Sequence, residues 1–158
     1  MIINVREAKL SDDAAIGKLQ PRNSRETIKA GLERDRRESV LGNTKRLVIE
    51  IDGAVVGQAI FERLSKLTRG HRVRVTDVVV AEEYRGLKLC TRLFEAGENW
   101  VQSLPGVNIL ELTVRGGIEA EEIYRHLGFL EFGRLIGGIK ESWEGGLIYD
   151  EVFMFKKV

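Results

Sequence analysis

The residues best placed to do chemistry lie in one run, Val78-Val79-Val80-Ala81-Glu82-Glu83-Tyr84-Arg85-Gly86-Leu87-Lys88-Leu89-Cys90-Thr91. A β-branched strand passes through a short polar turn into the start of a helix. At such a start the first backbone N–H groups lack intrahelical partners and converge on one spot. The helix dipole adds a positive potential there, which suits a phosphate or pyrophosphate. The run is neither of the two common nucleotide loops. It lacks the Gly-Lys-Ser/Thr ending of a P-loop and the three spaced glycines of the dinucleotide fingerprint. Taken alone, an ordinary strand-to-helix turn reads the same way.

A second cluster lies near the end of the chain. Glu141, Trp143, Glu144, Tyr149, Asp150 and Glu151 gather acids and aromatics around Gly145-Gly146, a composition suited to a cationic amine. Strand alternation puts Tyr149, Glu151 and Phe153 on one face and Asp150, Val152 and Met154 on the other. Tyr149 and Glu151 are therefore the expected substrate-binding pair. Exposed loop charges and plain strand pairing account for the same residues equally well.

Other chemistries have little to build on. Cys90 is the only cysteine and His71 and His126 the only histidines, so neither a disulfide framework nor a structural zinc site is expected, and no metal. Cys90 at a helix start has no partner base in either cluster and reads as a packing residue. Lys+Arg at 25 and Asp+Glu at 24 nearly cancel, so no nucleic-acid partner is expected. No apolar run approaches the roughly 18 residues of a membrane span, and the N-terminus has no signal-peptide pattern. The expectation is a cytoplasmic globular protein of one domain, residues 1–158. Arg63, Lys66, Arg69, His71, Arg72 and Arg74 form a basic run that reads as a solvated hairpin tip or as an attraction for anions. The mixed charges from Glu33 to Glu38 read as a solvated helix face.

The elements that must position these residues follow from periodicity. Ile2 to Ala8 is a short strand. Ser11-Asp12-Asp13 opens a short helix that Pro21 stops, and Ser24 caps a second helix carrying Ile28 and Leu32. Arg46–Ile51 and Ala54–Phe61 are strands joined by Asp52-Gly53, a strong hairpin signal. Val73 to Val80 reads as a strand covered on both faces. Leu89, Leu93, Gly97, Trp100 and Leu104 have helical spacing, which Pro105-Gly106 ends. Val107–Arg115 is another strand. Ala120 to Leu127 is an amphipathic helix closed by Gly128. Phe129–Ile136 and Leu147–Phe155 are the last strands, with a glycine-rich charged loop between them.

This order and four motifs resemble the GNAT superfamily of acetyl-CoA-dependent N-acetyltransferases, over nearly the whole chain. The motifs are Val5-Arg6-Glu7-Ala8 with Ser11-Asp12, the Val80 to Cys90 turn, Ala120-Glu121-Glu122-Ile123-Tyr124-Arg125-His126-Leu127-Gly128-Phe129, and the closing pair Gly133-Arg134 and Tyr149 to Met154. The second of these is similar to the family's Arg/Gln-x-x-Gly-x-Gly/Ala, and the third to Ala-x-x-x-Tyr-x-x-x-Gly-Phe. The resemblance implies an α/β (α+β) fold with a mixed, mostly antiparallel sheet of about seven strands flanked by about four helices.

It also implies a chemistry. Acetyl-CoA would be the donor, held by Val78, Val79, Val80, Arg85, Gly86, Leu87, Lys88, Leu89, Cys90 and Thr91. A primary amine, of a small molecule in the leading reading, would attack directly. Acyl transfer to an amine needs the amine to lose a proton, the oxyanion to be stabilised and the leaving thiolate to be protonated. Tyr124 is the expected acid for the thiolate. The fourth strand carries Arg74, Thr76, Val78 and Val80 on one face by alternation, with no base among them. Glu111, which shares a face with Thr113 and Arg115, is the candidate base, with Asp77 behind it.

Two alternatives stay open: a protein acetyltransferase acting on a lysine or N-terminal amine, and a catalytically weak acyl-CoA-binding regulatory domain. A homodimer is a candidate assembly. The sequence departs from the family at Lys88 and Cys90, where small residues usually stand, and at Gly117, where an asparagine is common. An ordinary helical φ is expected at Lys88, with its ammonium available to a phosphate.

Overall fold

Asp52 and Gly53 both take positive φ, 49° and 84°, which is the turn whose twist matches a tight antiparallel hairpin. It joins β2 (Thr44–Ile51) to β3 (Ala54–Arg63) in a computed structural model that describes residues 1–64 and 67–158. β1 (Ile3–Glu7) pairs antiparallel with the far side of β2, and β4 (Arg72–Val80) with the far side of β3. These strands belong to the first of two compact units, residues 1–107. Lys66 of the basic run lies outside the described residues.

Register decides what each face of this sheet buries. Side chains directly opposite across a ladder point the same way, so Val48, Gln58 and Thr44 share one face and Ile49, Phe61 and Leu47 the other. On the first face, α1 (Asp13–Leu19) and α2 (Arg25–Val40) bring Ile16, Ile28 and Leu32 onto Val48. The second face meets α3 (Leu89–Gln102), which buries Leu89, Leu93, Phe94, Gly97 and Val101. Phe61 lies over Gly97, where an added Cβ would come within 2.0 Å of its ring, and meets Phe94 edge-on at 5.8 Å.

Two expectations for this unit change and one holds. Ser24 caps α2 as expected, accepting from the Thr27 N–H at 3.1 Å. Ser11 caps nothing; the Asp12 carboxylate instead takes the Lys9 N–H and both arms of Arg6, at 2.7 to 2.9 Å. Nor is the mixed run on α2 wholly solvated. Asp35 is buried and bonds buried Arg46 at 2.7 Å, because an i, i+3, i+4 stripe carries it inward with Leu32. Beside this pair, the fully buried Gln58 receives one arm of Arg46 at 3.5 Å.

The second unit, residues 108–158, holds three strands in the order β5-β7-β6 and one helix. β5 (Ile109–Arg115) and β6 (Leu130–Glu141) each pair antiparallel with β7 (Leu147–Lys157). α4 (Glu119–His126) ends where expected: Gly128 takes φ 93° and the Phe129 N–H returns to the Tyr124 carbonyl at 3.0 Å. The glycine-rich stretch after Ile136 is not a loop. Gly137, at φ 66°, forms a bulge and β6 continues to Glu141, so the connection shrinks to a 3-10 turn and two glycines.

Among the described residues the chain is mixed α/β, with seven mostly antiparallel strands and four α-helices, as the family resemblance implied. Among the described residues, no helix is long and apolar enough to cross a membrane.

Candidate functional site

β4 breaks its own alternation just before the turn. Thr76 lies opposite Ile60 and Val79 opposite Gln58, so Asp77 and Val78 together face Ala59. Asp77 absorbs the extra residue at φ 51°. Arg74, Thr76 and Val79 consequently share one face, and Val73, Val75 and Val80 the other. The expected grouping of Val80 with Arg74 and Thr76 is thereby overturned, because a bulge shifts the side-chain phase by one residue.

After Val80 the chain leaves the ladder by a hydrogen bond from the Ala81 N–H to the Val56 carbonyl at 2.8 Å. A 3-10 turn, Glu82–Tyr84, leads to two left-handed residues, Gly86 at φ 81° and Lys88 at φ 57°. Nothing lies within 4 Å of where a Gly86 Cβ would be, so glycine serves the backbone angle there. The expected helical φ at Lys88 is overturned. Lysine stands in the conformation its glycine counterpart adopts freely, at a cost of about 1–2 kcal/mol for an L residue.

Lys88 is the N-cap of α3 without any side-chain cap, and the first turn contains no acid. The N–H groups of Leu89, Cys90 and Thr91 are the ones a helix start leaves without intrahelical carbonyls. Buried Leu89 anchors that turn, while Arg85, Gly86, Leu87 and Lys88 are exposed. Burial pushes the Cys90 thiol up to about 11, so it is protonated near neutrality and unsuited to act as a nucleophile.

In the second unit, Tyr124 sits on the last turn of α4, 8% exposed, with its ring edge-on to Phe129 at 6.0 Å. Glu111 is buried on β5, at 7% exposure. Its ladder partner is Phe155, while Arg115 lies opposite Glu151 and Ile139 opposite Tyr149. Glu111, Arg115, Tyr149 and Glu151 therefore share a face; alternation had grouped Glu111 with Arg115 and Tyr149 with Glu151, and the register joins the two groups. Asp150 faces the other way and is committed to Arg134 at 3.2 Å and to the Gly137 N–H at 3.1 Å.

One pairing was not foreseen. Arg115 bonds the buried Glu141 carboxylate at 2.6 Å, and its guanidinium lies over the Tyr149 ring at 5.0 Å. Glu141 had read as a loop acid because the strand around it was hidden by glycines. Gly117, in place of the family's asparagine, takes φ 77° and donates its N–H to Glu121 at 2.9 Å. That hydrogen bond, with Arg125 and Arg134 beside it, holds the Glu121 carboxyl below the usual range.

Two cavities of about 380 and 530 Å³ lie in the first unit, one lined by Arg63, His71 and Pro105, the other by Arg34, Thr44 and Glu62. Neither is lined by any residue between 78 and 91. Among the described residues no group of His, Cys, Asp or Glu side chains is arranged to hold a metal ion.

The family profile described as the acetyltransferase (GNAT) family matches residues 14–129. The chain belongs to the GNAT family. It is accordingly an acyltransferase, and the family's donor is acetyl-CoA. Solved structures agree on the GNAT fold. The acetyltransferase of GNAT family from Streptococcus pneumoniae is 20% identical, covers 99% of this chain and 100% of its own, and superposes with a TM-score of 0.84. Ribosomal-protein-alanine N-acetyltransferase from Brucella melitensis is 24% identical over 98% of this chain and 99% of its own, TM-score 0.81. A spermidine N-acetyltransferase chimera from Vibrio cholerae and hSSAT is 17% identical over 98% and 95%, TM-score 0.78. No curated protein matches the sequence.

Proposed function

We propose that residues 1–158 form one N-acetyltransferase domain that moves an acetyl group from acetyl-CoA to the primary amine of a small molecule, by direct attack, in the cytoplasm. The observation that carries this reading is the turn from Gly86 to Lys88, whose two left-handed residues deliver the chain to an uncapped, acid-free helix start. Arg85 to Thr91 would hold the donor's pyrophosphate by backbone N–H groups, with the Lys88 ammonium as an added cation. The backbone of Val78, Val79 and Val80 would take the pantetheine arm. Acetyl-CoA, when bound, supplies a thioester-activated acyl group.

The remaining roles fall to Tyr124, Glu111 and Glu151. Tyr124 gives a proton to the departing thiolate, and Glu111 takes one from the amine, directly or through water. Glu151, beside Tyr149 on the same face, orients the acceptor's cationic end. Among the described residues Glu151 has no ion-pair or hydrogen-bond partner. The protonated state of Cys90 supports direct attack over a covalent thioester on the enzyme.

Four variants test the assignment. Gly86→Val should abolish the thermal shift on adding CoA while leaving the far-UV spectrum unchanged; a retained shift removes the turn from the site. Tyr124→Phe should keep CoA affinity and lower turnover about 10- to 1,000-fold. Glu151→Gln should raise the acceptor's KM alone, and Asp150→Asn should not. Intact-mass analysis after incubation with acetyl-CoA and an amine panel identifies the acceptor.

A second reading is favoured by the likeness to proteins named for ribosomal-protein alanine, at 24% and 16% identity. In that case the acceptor is a protein N-terminal amine. Acetylation of a peptide N-terminus with every small amine left unmodified would decide for it.

A further inference from the structure

Arg115 reaches past the carboxylate nearest to it. On the β5–β7 ladder it stands opposite Glu151, and Cβ atoms so paired are about 4.5–5.5 Å apart. Its guanidinium instead crosses β7, lies over the Tyr149 ring at 5.0 Å and bonds the Glu141 carboxylate on β6 at 2.6 Å. Half-buried Glu151 is left with no hydrogen-bond or ion-pair partner among the described residues.

Burial explains the choice. The Glu141 side chain is 9% exposed, so its charge is poorly hydrated and needs a counterion. Water can reach Glu151 in a way it cannot reach Glu141. The Tyr149 face adds a second, weaker hold on the same cation. Both carboxylates are anchored. The Gly146 N–H returns to the Glu141 carbonyl at 3.2 Å across the turn. The Glu151 stem lies against Gly138, where an added Cβ would come within 2.9 Å of the Glu151 Cβ. The long arginine side chain is therefore the part that selects between them.

We infer that Glu141 is a positioning residue: by holding Arg115 on itself and on the Tyr149 ring, it keeps Glu151 unpaired and open to the ammonium of an amine. The inference rests on the assignment of Glu151 to the acceptor. Without the Glu141 charge, Arg115 turns to its ladder partner and occupies the carboxylate that the amine would use. The site then carries its own cationic competitor, and a neighbouring strand keeps that competitor away.

Nitrogen-15 NMR of the full chain reads the arm without turnover. The guanidinium of Arg115 lies over the Tyr149 ring, so its Nε–H resonance carries a ring-current shift. Glu151→Gln should leave that resonance in place in the wild-type chain. In Glu141→Gln, checked for an unchanged far-UV spectrum, the resonance should lose the ring shift and become sensitive to Glu151→Gln. Titration with n-butylammonium, followed at the Glu151 amide, reads the site itself. Glu141→Gln should weaken binding roughly five- to tenfold, about the worth of one charge-assisted hydrogen bond. Adding Arg115→Gln to that variant should restore it, because no cation remains to occupy Glu151.

An Arg115 resonance that answers to Glu151→Gln in the wild-type chain overturns the inference, as does one that Glu141→Gln leaves in place. Binding still weakened in the double variant also overturns it, since Glu141 would then be structural alone. Should Glu141→Gln fail to fold, Glu141→Asp, whose carboxylate stops one carbon short, gives the same readings in graded form. If the Arg115 signatures hold while n-butylammonium leaves the wild-type Glu151 amide unmoved, the acceptor assignment of Glu151 falls and Glu141 still places Arg115.

Discussion

The β2–β3 and β6–β7 hairpins have similar lengths and opposite surroundings. Leu47, Val48 and Ile49 on β2 and Val56 through Phe61 on β3 are buried without interruption, whereas β6 buries only Glu141. The first hairpin has helices on both faces, so every pleat must fit a neighbour. In the second, β7 buries Val152 and Met154, and β6 is tied to α4 by charge, through Arg134 to Glu121 at 2.8 Å. The difference shows that strand pairing alone does not make an element part of a core. What does is a covering layer on each face.

Truncation should break the symmetry of the two hairpins most sharply. Phe61→Ala, which empties the space above Gly97, should cost about 3–5 kcal/mol, read from denaturant midpoints. Ile136→Ala, at an 84% exposed position, should change monomer stability by no more than about 0.5 kcal/mol. Equal losses would mean that β6 is covered after all. Adding a methyl group should sort the hairpins again, less strongly. A Cβ at Gly57 would come within 2.9 Å of the Val79 carbonyl oxygen, so Gly57→Ala should cost about 1–3 kcal/mol. At Gly133 the nearest atom would be 3.6 Å away, an ordinary contact, and the corresponding loss should be smaller.

Acid sharpens the comparison at the polar end of the first unit. Burial works against the Asp12 carboxylate, but hydrogen bonds from Arg6 and from the Lys9 N–H outweigh it and leave its pKa below the usual value. The folded chain thus binds fewer protons there than the unfolded one. The stability it contributes is complete above about pH 4–5 and is lost as pH falls through the lowered folded-state value. Asp12→Asn should be less stable than wild type at pH 7, and the gap should narrow as pH falls below about 4; a gap constant with pH would refute the linkage. The smallest contrast is an expected equality. Gly53 at φ 84° and Gly145 at φ 66° both have nothing within 4 Å, so alanine at either should cost the same, about 1 kcal/mol. Unequal costs would place the difference between the hairpins in their turns.

The two hairpins also differed in how plainly the sequence announced them. β2–β3 was legible because alternating apolar residues flank Asp52-Gly53, a pair with one common use. β6 was lost after Ile136 because Gly137-Gly138 has the local chemistry of a loop, and only pairing with Ile148 and Tyr149 makes it a bulged strand. With it went the buried role of Glu141. The turn from Gly86 to Lys88 was legible in its residues, yet Asp77 and Lys88 show where sequence runs out. A left-handed aspartate or lysine is imposed by tertiary context, and no local pattern predicts it. Asp35 repeats the lesson on α2, since its burial depends on Arg46 reaching it from β2.

The ring of Phe61 seated over Gly97 works as a key in a keyway. Helix α3 cannot turn about its axis or slip by one residue without driving a side chain into that ring. Gly97 lies eight positions beyond Leu89, about 12 Å along the axis. The bearing of the first-turn N–H groups is thus set from mid-helix. A strained lysine at the mouth of the helix is tolerable because the shaft behind it is indexed.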